Sequence, residues 1–235
     1  MENPLVSVTI PVGPNESHKR WLDEAIVSAL DQTYRVDEIL LIDDMAGLNE
    51  MDYPGIVRVW ESPWLLGVAH AFNFGVALAK NELVFMLGSD DWLEPQCIEA
   101  CVKVYNKLPH PDKAFLFVGV RYTDDREDKE QFIPCNAAMV TKSLWKQNGG
   151  FPIESSSGAP DAALISIMMK NPEAGEYIGV EYGRRSLYNY RVHPETDTAK
   201  RQPWQGVILN TRDIVTGISE KPEWTERRNY ELSST

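Results

Sequence analysis

LVFMLGSDDWLEP, residues 83–95, is the stretch from which the fold can be read. Leu83 to Leu87 form an unbroken apolar run, which stops at Gly88 and Ser89. A short run without polar alternation is the pattern of a strand covered on both faces, as in a parallel sheet. Where that strand emerges, Asp90 and Asp91 place two like charges side by side. Such a pair reads either as a solvated turn or as a cation site. Pro95 suits the first position of a following helix, where its missing N–H costs nothing.

The same alternation extends on either side. LVSVTIPV (5–12) is a strand stopped by Gly13-Pro14. Over residues 18–31 the period changes, and Leu22, Ala25, Ile26, Ala29 and Leu30 form the stripe of one amphipathic helix. EILLI (38–42) is a second buried strand, ending in Asp43-Asp44, and residues 56–60 form a third. Leu65, Ala69, Phe72, Val76 and Ala79 make another helical stripe, and Ile98, Cys101, Val102, Tyr105 and Leu108 one more. Strand and helix alternating through residue 110 predict an α/β fold with a mainly parallel central sheet flanked by helices. Ligands of such sheets bind beyond the carboxyl ends of the strands. Both Asp pairs lie there, so they are expected to share one crevice.

The second half is less regular. It reads as a strand over 114–120, a charged loop over 123–130, a strand over 132–141 and a helix over 142–148 closed by Gly149-Gly150. A Ser-rich loop at 154–158 leads to a helix opened by Pro160, and strands follow at 176–180 and 187–191. A further helix is expected over 203–216, then a polar tail.

Composition narrows the function. The chain has 235 residues, 43% hydrophobic and 25% charged, with a formal net charge of −12. An acidic chain lacks the electrostatic footprint of a nucleic-acid binder and gains nothing from an anionic membrane. Arg184-Arg185 and Lys200-Arg201 read as solvated surface. No apolar run approaches the roughly 18 residues that span a bilayer, and the N-terminus has no signal-peptide pattern. The three cysteines, Cys97, Cys101 and Cys135, lack metal-ligand spacing and read as free thiols, which points to a reducing, cytoplasmic setting.

Taken together, VSVTIPV (6–12), AIVSALDQTY (25–34), EILLIDD (38–44) and LGVAHAFNFGVALAKNELVFMLGSDDWLEP (66–95) resemble the family-2 glycosyltransferases of GT-A fold. Gly149-Gly150-Phe151 with Asp161 beyond it, and Tyr190-Arg191-Val192-His193, resemble the acceptor-side signatures of that family. The resemblance implies a metal-dependent inverting enzyme that uses a nucleotide-diphosphate sugar, foremost a UDP-sugar, with Mn²⁺ or Mg²⁺. Hard cations of this kind often take only one or two ligands from the protein, phosphate and water supplying the rest. It implies a single domain over 1–218, with a nucleotide-binding half to residue 110 and an acceptor half over 111–218, and a polar tail at 219–235. Asp44 looks like the contact to the nucleobase, with Asp43 beside it and Pro11 and Val12 as the strand end on which the base rests. Gly67 and Asn73 belong to the donor-side helix. Asp90 would approach the ribose or sugar, and Asp91 would ligate the metal. His193 looks like a second contact to metal or diphosphate, with Arg191 as a phosphate partner. Asp161 looks like the catalytic base. The acceptor stays open: glycan, lipid-linked sugar, protein or modified nucleic-acid base.

The chain departs from the family pattern at Met45-Ala46, where Gly-Ser is common, at Gly88, where an Asp often stands, at Phe72, commonly basic, and at Pro160, commonly acidic. Plainer readings stand beside the functional ones. Asp161 is also placed as a first-turn carboxylate favoured by a helix dipole, His193 as a surface-loop histidine, Asn73 as a backbone cap, and Trp64 and Trp92 as packing. Two other functions fit such a fold: a nucleotidyltransferase and an inactive nucleotide-sugar binding module. The first calls for a glycine-rich basic loop after the first strand, whereas Gly13-Pro14-Asn15-Glu16-Ser17 has one glycine and no base.

Overall fold

The computed structural model describes residues 3–123, 136–151, 164, 175–180, 182, 183 and 185–194. The expectations for the Ser-rich loop, the 203–216 helix, the tail, Cys135 and Asp161 lie outside them, as does most of the charged loop. Among the described residues, β1 (Val6–Val12), β2 (Glu38–Asp43), β3 (Val57–Glu61) and β4 (Leu83–Met86) pair in parallel in the order β3-β2-β1-β4. β6 (Ala114–Val118), β8 (Ala138–Thr141) and β9 (Glu176–Val180) extend that sheet as β4-β8-β6-β9, with β8 antiparallel to both neighbours. A second sheet joins β5 (Trp92–Leu93), β10 (Tyr188–Tyr190) and β7 (Val120–Tyr122).

The apolar runs are buried on both faces, as their lack of alternation requires. Val6, Val8, Ile10 and Val12 pack with α2 (Leu22–Leu30) and α4 (Cys97–Tyr105). On the other face, Val84 and Met86 pack with α3 (Val68–Leu78), α5 (Lys142–Asn148) and Phe151. α3 lies so close to β1 that a Cβ on Gly75 would come within 1.9 Å of Thr9 Oγ1. The chain order runs outward from β1 in both directions, so β1 and β4 flank the point where the sheet changes direction. In open α/β sheets, that is where the binding crevice forms.

Three local expectations change. The single helix over 18–31 is two, α1 (Glu16–Lys19) and α2, separated by Arg20 and Trp21. Trp21 leaves helical geometry at φ −117°, ψ 10°, and its ring packs 4.8 Å from the His193 ring, a tertiary contact that overrides the periodicity. The strand over 114–120 divides at Gly119, whose carbonyl accepts the N–H groups of Leu187 and Tyr188, so β6 and β7 serve different sheets. Pro95 precedes α4 by two residues, with Gln96 at the cap. Its carbonyl instead accepts the Thr33 N–H at 2.8 Å. Gln32 completes that joint: its Oε1 accepts the Ile98 N–H at the start of α4, while its Nε2 donates to the carbonyls of Ser28 and Glu94. The Gln32-Thr33 turn therefore staples the end of α2 to the element after Asp90-Asp91. Among the described residues, no helix is long and apolar enough to cross a membrane.

Candidate active site

A crevice of about 530 Å³ opens at the carboxyl ends of β1, β2 and β4. Pro11, Asp44, Gly67, Asp90, Asp91 and His193 all line it. One crevice thus receives a residue of each Asp pair, though the two members of each pair differ in setting.

Asp43 is fully buried, and its carboxylate accepts the N–H groups of Ala46 at 2.5 Å, Gly47 at 3.2 Å and Leu48 at 2.7 Å. It builds the turn after β2 and is not among the residues that line the crevice. The turn holds Met45 at φ 64°, a left-handed conformation that costs a non-glycine residue about 1 kcal/mol. Asp44 is anchored through its own N–H to the Val12 carbonyl at 2.8 Å. Its carboxylate accepts the N–H groups of Leu66 and Gly67 at the start of α3, where amides and helix dipole favour negative charge. Gly67 caps α3 at φ 76°, ψ 164°, a backbone region reserved for glycine.

Val12 and Asn73 are both buried. The side chain of Val12 is sealed in the core, so only its carbonyl serves the site, by holding Asp44. The Asn73 amide is spent on Phe151, donating to its carbonyl at 2.9 Å and accepting its N–H at 2.8 Å. This buried two-way bridge ties α3 to the Gly149-Gly150-Phe151 turn.

After β4 the carboxylates divide again. Asp91 is 1% exposed. It accepts the Tyr188 hydroxyl at 2.5 Å, the Asn136 amide at 2.9 Å and the Arg191 N–H at 2.8 Å. Burial, and then the charge of Asp90, push its carboxyl well above the usual range against the pull of those three donors. Burial and Asp91 likewise push the Tyr188 phenol up. Tyr188 also accepts the Gly88 N–H at 3.0 Å, which closes the turn. A Cβ on Gly88 would come within 2.5 Å of Asp91 Oδ2, so this turn has no room for a side chain there. Held by these three protein donors, Asp91 shapes the turn from the wall of the crevice. Asp90 is the open one: its side chain is 22% exposed and its Oδ2 lies 3.0 Å from His193 Nε2.

Arg191 is not among the residues that line the crevice. Its guanidinium lies between the rings of Trp21 and Trp92, at 4.8 and 4.6 Å. It donates to the Asp90 carbonyl at 2.8 Å and pairs with Glu24 at 2.5 Å. Arg191 therefore holds the turn that presents Asp90. Trp21, Asn136 and Tyr188 are among the site residues that sequence reasoning missed. For Tyr188 the signal was its place two residues before Tyr190 in a strand, which puts both on one face.

Asp90 Oδ2 and His193 Nε2 form a hydrogen bond of 3.0 Å, a separation that two neighbouring ligands of an octahedral ion with bonds of about 2.1 Å also have. Among the described residues, no group of three or more His, Cys, Asp or Glu side chains could hold a metal. Two protein ligands, completed by phosphate and water, are what Mg²⁺-like cations commonly use.

Residues 7–132 match the family described as glycosyl transferase family 2. The hyaluronan synthase of Pasteurella multocida is 25% identical over 219 residues, covering 84% of this chain and 21% of the synthase. The chain thus spans about a fifth of that relative's length. S. aureus TarS 1–349, solved with UDP-GlcNAc, superposes with a TM-score of 0.65 at 15% identity, covering 85% of this chain and 62% of that one. The mannosyltransferase PcManGT of Pyrobaculum calidifontis, solved with GDP-Man and Mn²⁺, gives 0.56 at 18% identity, covering 76% and 55%. The architecture is the GT-A fold, and the chain belongs to glycosyltransferase family 2.

Proposed function

We propose that the chain transfers a sugar, with inversion, from a UDP-sugar to an acceptor hydroxyl, in a reaction that depends on Mn²⁺ or Mg²⁺. The observation that carries this reading is the meeting of Asp44, Asp90 and His193 around one crevice at the sheet's switch point. Asp44, braced by two backbone amides, accepts an N–H of the nucleobase, which rests on Pro11. Asp90 and His193 hold the cation, a role that moves from Asp91 because Asp91 is occupied by protein donors. A divalent cation there supplies positive charge to the diphosphate as it departs. Asp161, on its sequence position after Gly149-Gly150-Phe151, takes the proton of the acceptor hydroxyl. The acceptor oxygen then bonds to the anomeric carbon as the bond to the diphosphate oxygen breaks, and the leaving diphosphate keeps the electron pair. The kinship with a hyaluronan synthase favours a hydroxyl of a glycan as acceptor.

The test is a thermal-shift screen of nucleoside diphosphates and nucleotide sugars, with Mn²⁺ and with chelator. A ligand at 100 times its dissociation constant stabilises by about 2.7 kcal/mol. UDP and UDP-sugars with Mn²⁺ are expected to raise the melting temperature most. A protein unmoved by every nucleotide would overturn the proposal.

A further inference from the structure

We infer that His18 is a binding residue for the nucleoside diphosphate of the donor, seated in a socket that exists because residue 13 is glycine. The inference rests on the donor reading above and adds a residue to it.

His18 lies on α1, the short helix after β1, and lines the same crevice as Asp44 and Asp90. Its backbone is fixed by an N–H donated to the Asn15 carbonyl at 2.9 Å. Its ring fills the space above Gly13. A Cβ at position 13 would come within 2.4 Å of His18 Nδ1 and 2.8 Å of Cε1. Contacts that close are not seen for real side chains, so any residue but glycine at 13 must displace the ring. Gly13 has no positive φ, so backbone strain does not call for glycine there. The close approach of the ring does.

The ring is also left unsatisfied. Its Nδ1 is buried and has no hydrogen-bond partner among the described residues. Burying an unpaired nitrogen costs free energy, and a ring sunk into a wall for packing alone is more cheaply an apolar one. Nδ1 and Cε1 are the ring atoms nearest Gly13; Nε2, next along the ring from Cε1, is the other nitrogen and the one left for a ligand. Position fixes which part of a ligand. Gly13 follows Val12, which pairs with Asp43 on the nucleobase side. The Leu87 N–H before the Asp90 turn bonds the Thr9 carbonyl on the other side of β1. His18 therefore stands between the nucleobase end and the cation end, over the ribose and its first phosphate.

The experiment is a calorimetric titration of UDP, in Mn²⁺, into the wild type and into His18→Ala, His18→Gln, Gly13→Ala and the Gly13→Ala/His18→Ala double variant. His18→Ala is expected to weaken UDP about tenfold, as loss of one hydrogen bond to a charged or strongly polar ligand does. His18→Gln, whose amide nitrogen reaches the Nε2 position, is expected to recover part of that loss. Gly13→Ala is expected to weaken binding because its Cβ expels the ring, and the double variant to be no weaker than His18→Ala. A His18→Ala protein that binds UDP within about twofold of a binding wild type overturns this inference and leaves the donor reading standing. Additive losses in the double variant overturn the socket. A wild type that binds no UDP overturns the donor reading and the inference together.

Discussion

Asp90 Oδ2 and His193 Nε2 lie 3.0 Å apart, although 103 residues separate them in the chain. The two arrive from different sheets. Asp90 follows β4 of the large sheet and His193 follows β10 of the small one. Their meeting depends on Arg191, whose N–H and Nε bond the oxygens of Asp91 and Asp90, so the strand carrying His193 is pinned to the turn carrying Asp90. His193→Ala is expected to weaken Mn²⁺ binding, measured in the presence of UDP, by at least about tenfold. Its UDP affinity in chelator is expected to stay unchanged. Wild-type Mn²⁺ affinity in that variant would remove His193 from the cation site.

Asp91 and Asp90 are adjacent but predicted to fail differently. Asp91→Asn turns an amide N–H toward buried donors and is expected to cost about 1–3 kcal/mol in urea unfolding. Tyr188→Phe, which strands both Asp91 and the Gly88 N–H, is expected to cost a similar amount. Asp90→Asn is expected to change stability by no more than about 0.5 kcal/mol. A stable Asp91→Asn protein with lost Mn²⁺ binding would return the metal role to Asp91.

Trp21 acts through its neighbours. Its ring contacts His193 and underlies the Arg191 guanidinium, an interaction worth about 0.5–1 kcal/mol for each cation–π pair. Trp21→Ala is expected to raise the Mn²⁺ concentration needed for half-maximal activity several-fold, with Trp21→Phe retaining most of the wild-type behaviour. An equal loss in both variants would mean that ring stacking is not what positions His193.

Glu38 predicts an acid limb of stability. Burial alone would push its carboxyl up, but the Lys80 N–H, the Ser7 hydroxyl and the Arg58 guanidinium together outweigh burial and hold it below the usual range. A carboxylate with a lowered folded pKa contributes stability that is present above the unfolded value, about 4.3, and lost as pH falls through the folded value. Unfolding free energy of the wild type is therefore expected to fall below about pH 4.3, and Glu38→Gln to flatten that fall while costing stability at pH 7. An unchanged acid limb in Glu38→Gln would place the titration elsewhere.

Asp161→Asn is expected to lower turnover by at least about 100-fold with UDP-sugar affinity unchanged. Near-normal turnover would assign the base elsewhere, with Glu154 next to be tested.

Much of the fold was legible because its strands are unbroken apolar runs, and a run as short as Leu83 to Leu87, stopped by Gly88, suits little but a strand covered on both faces. The placing of Asp44 and the Asp90 turn in one crevice followed from both lying at the carboxyl ends of strands in a mainly parallel sheet. The division of labour within each pair was not legible. Asp43 and Asp91 differ from their neighbours only in which way the carboxylate turns, and that depends on donors as distant as Tyr188. The break at Trp21 was hidden for the same reason: its partners, Arg191 and His193, lie far along the chain, and a helical period says nothing about them. Asn73 sat in a motif that suggested a ligand, yet its amide is consumed by Phe151, which lies 78 residues on.

The account turns on a cation held by Asp90 at the donor's diphosphate. The direct measurement is a calorimetric titration of UDP into the wild type and Asp90→Asn, each with Mn²⁺ and with chelator. The account predicts that Mn²⁺ tightens UDP binding to the wild type and that Asp90→Asn loses this gain while keeping the affinity seen in chelator. A wild type that binds UDP equally well in both conditions, or an Asp90→Asn protein that keeps the full gain, would contradict it.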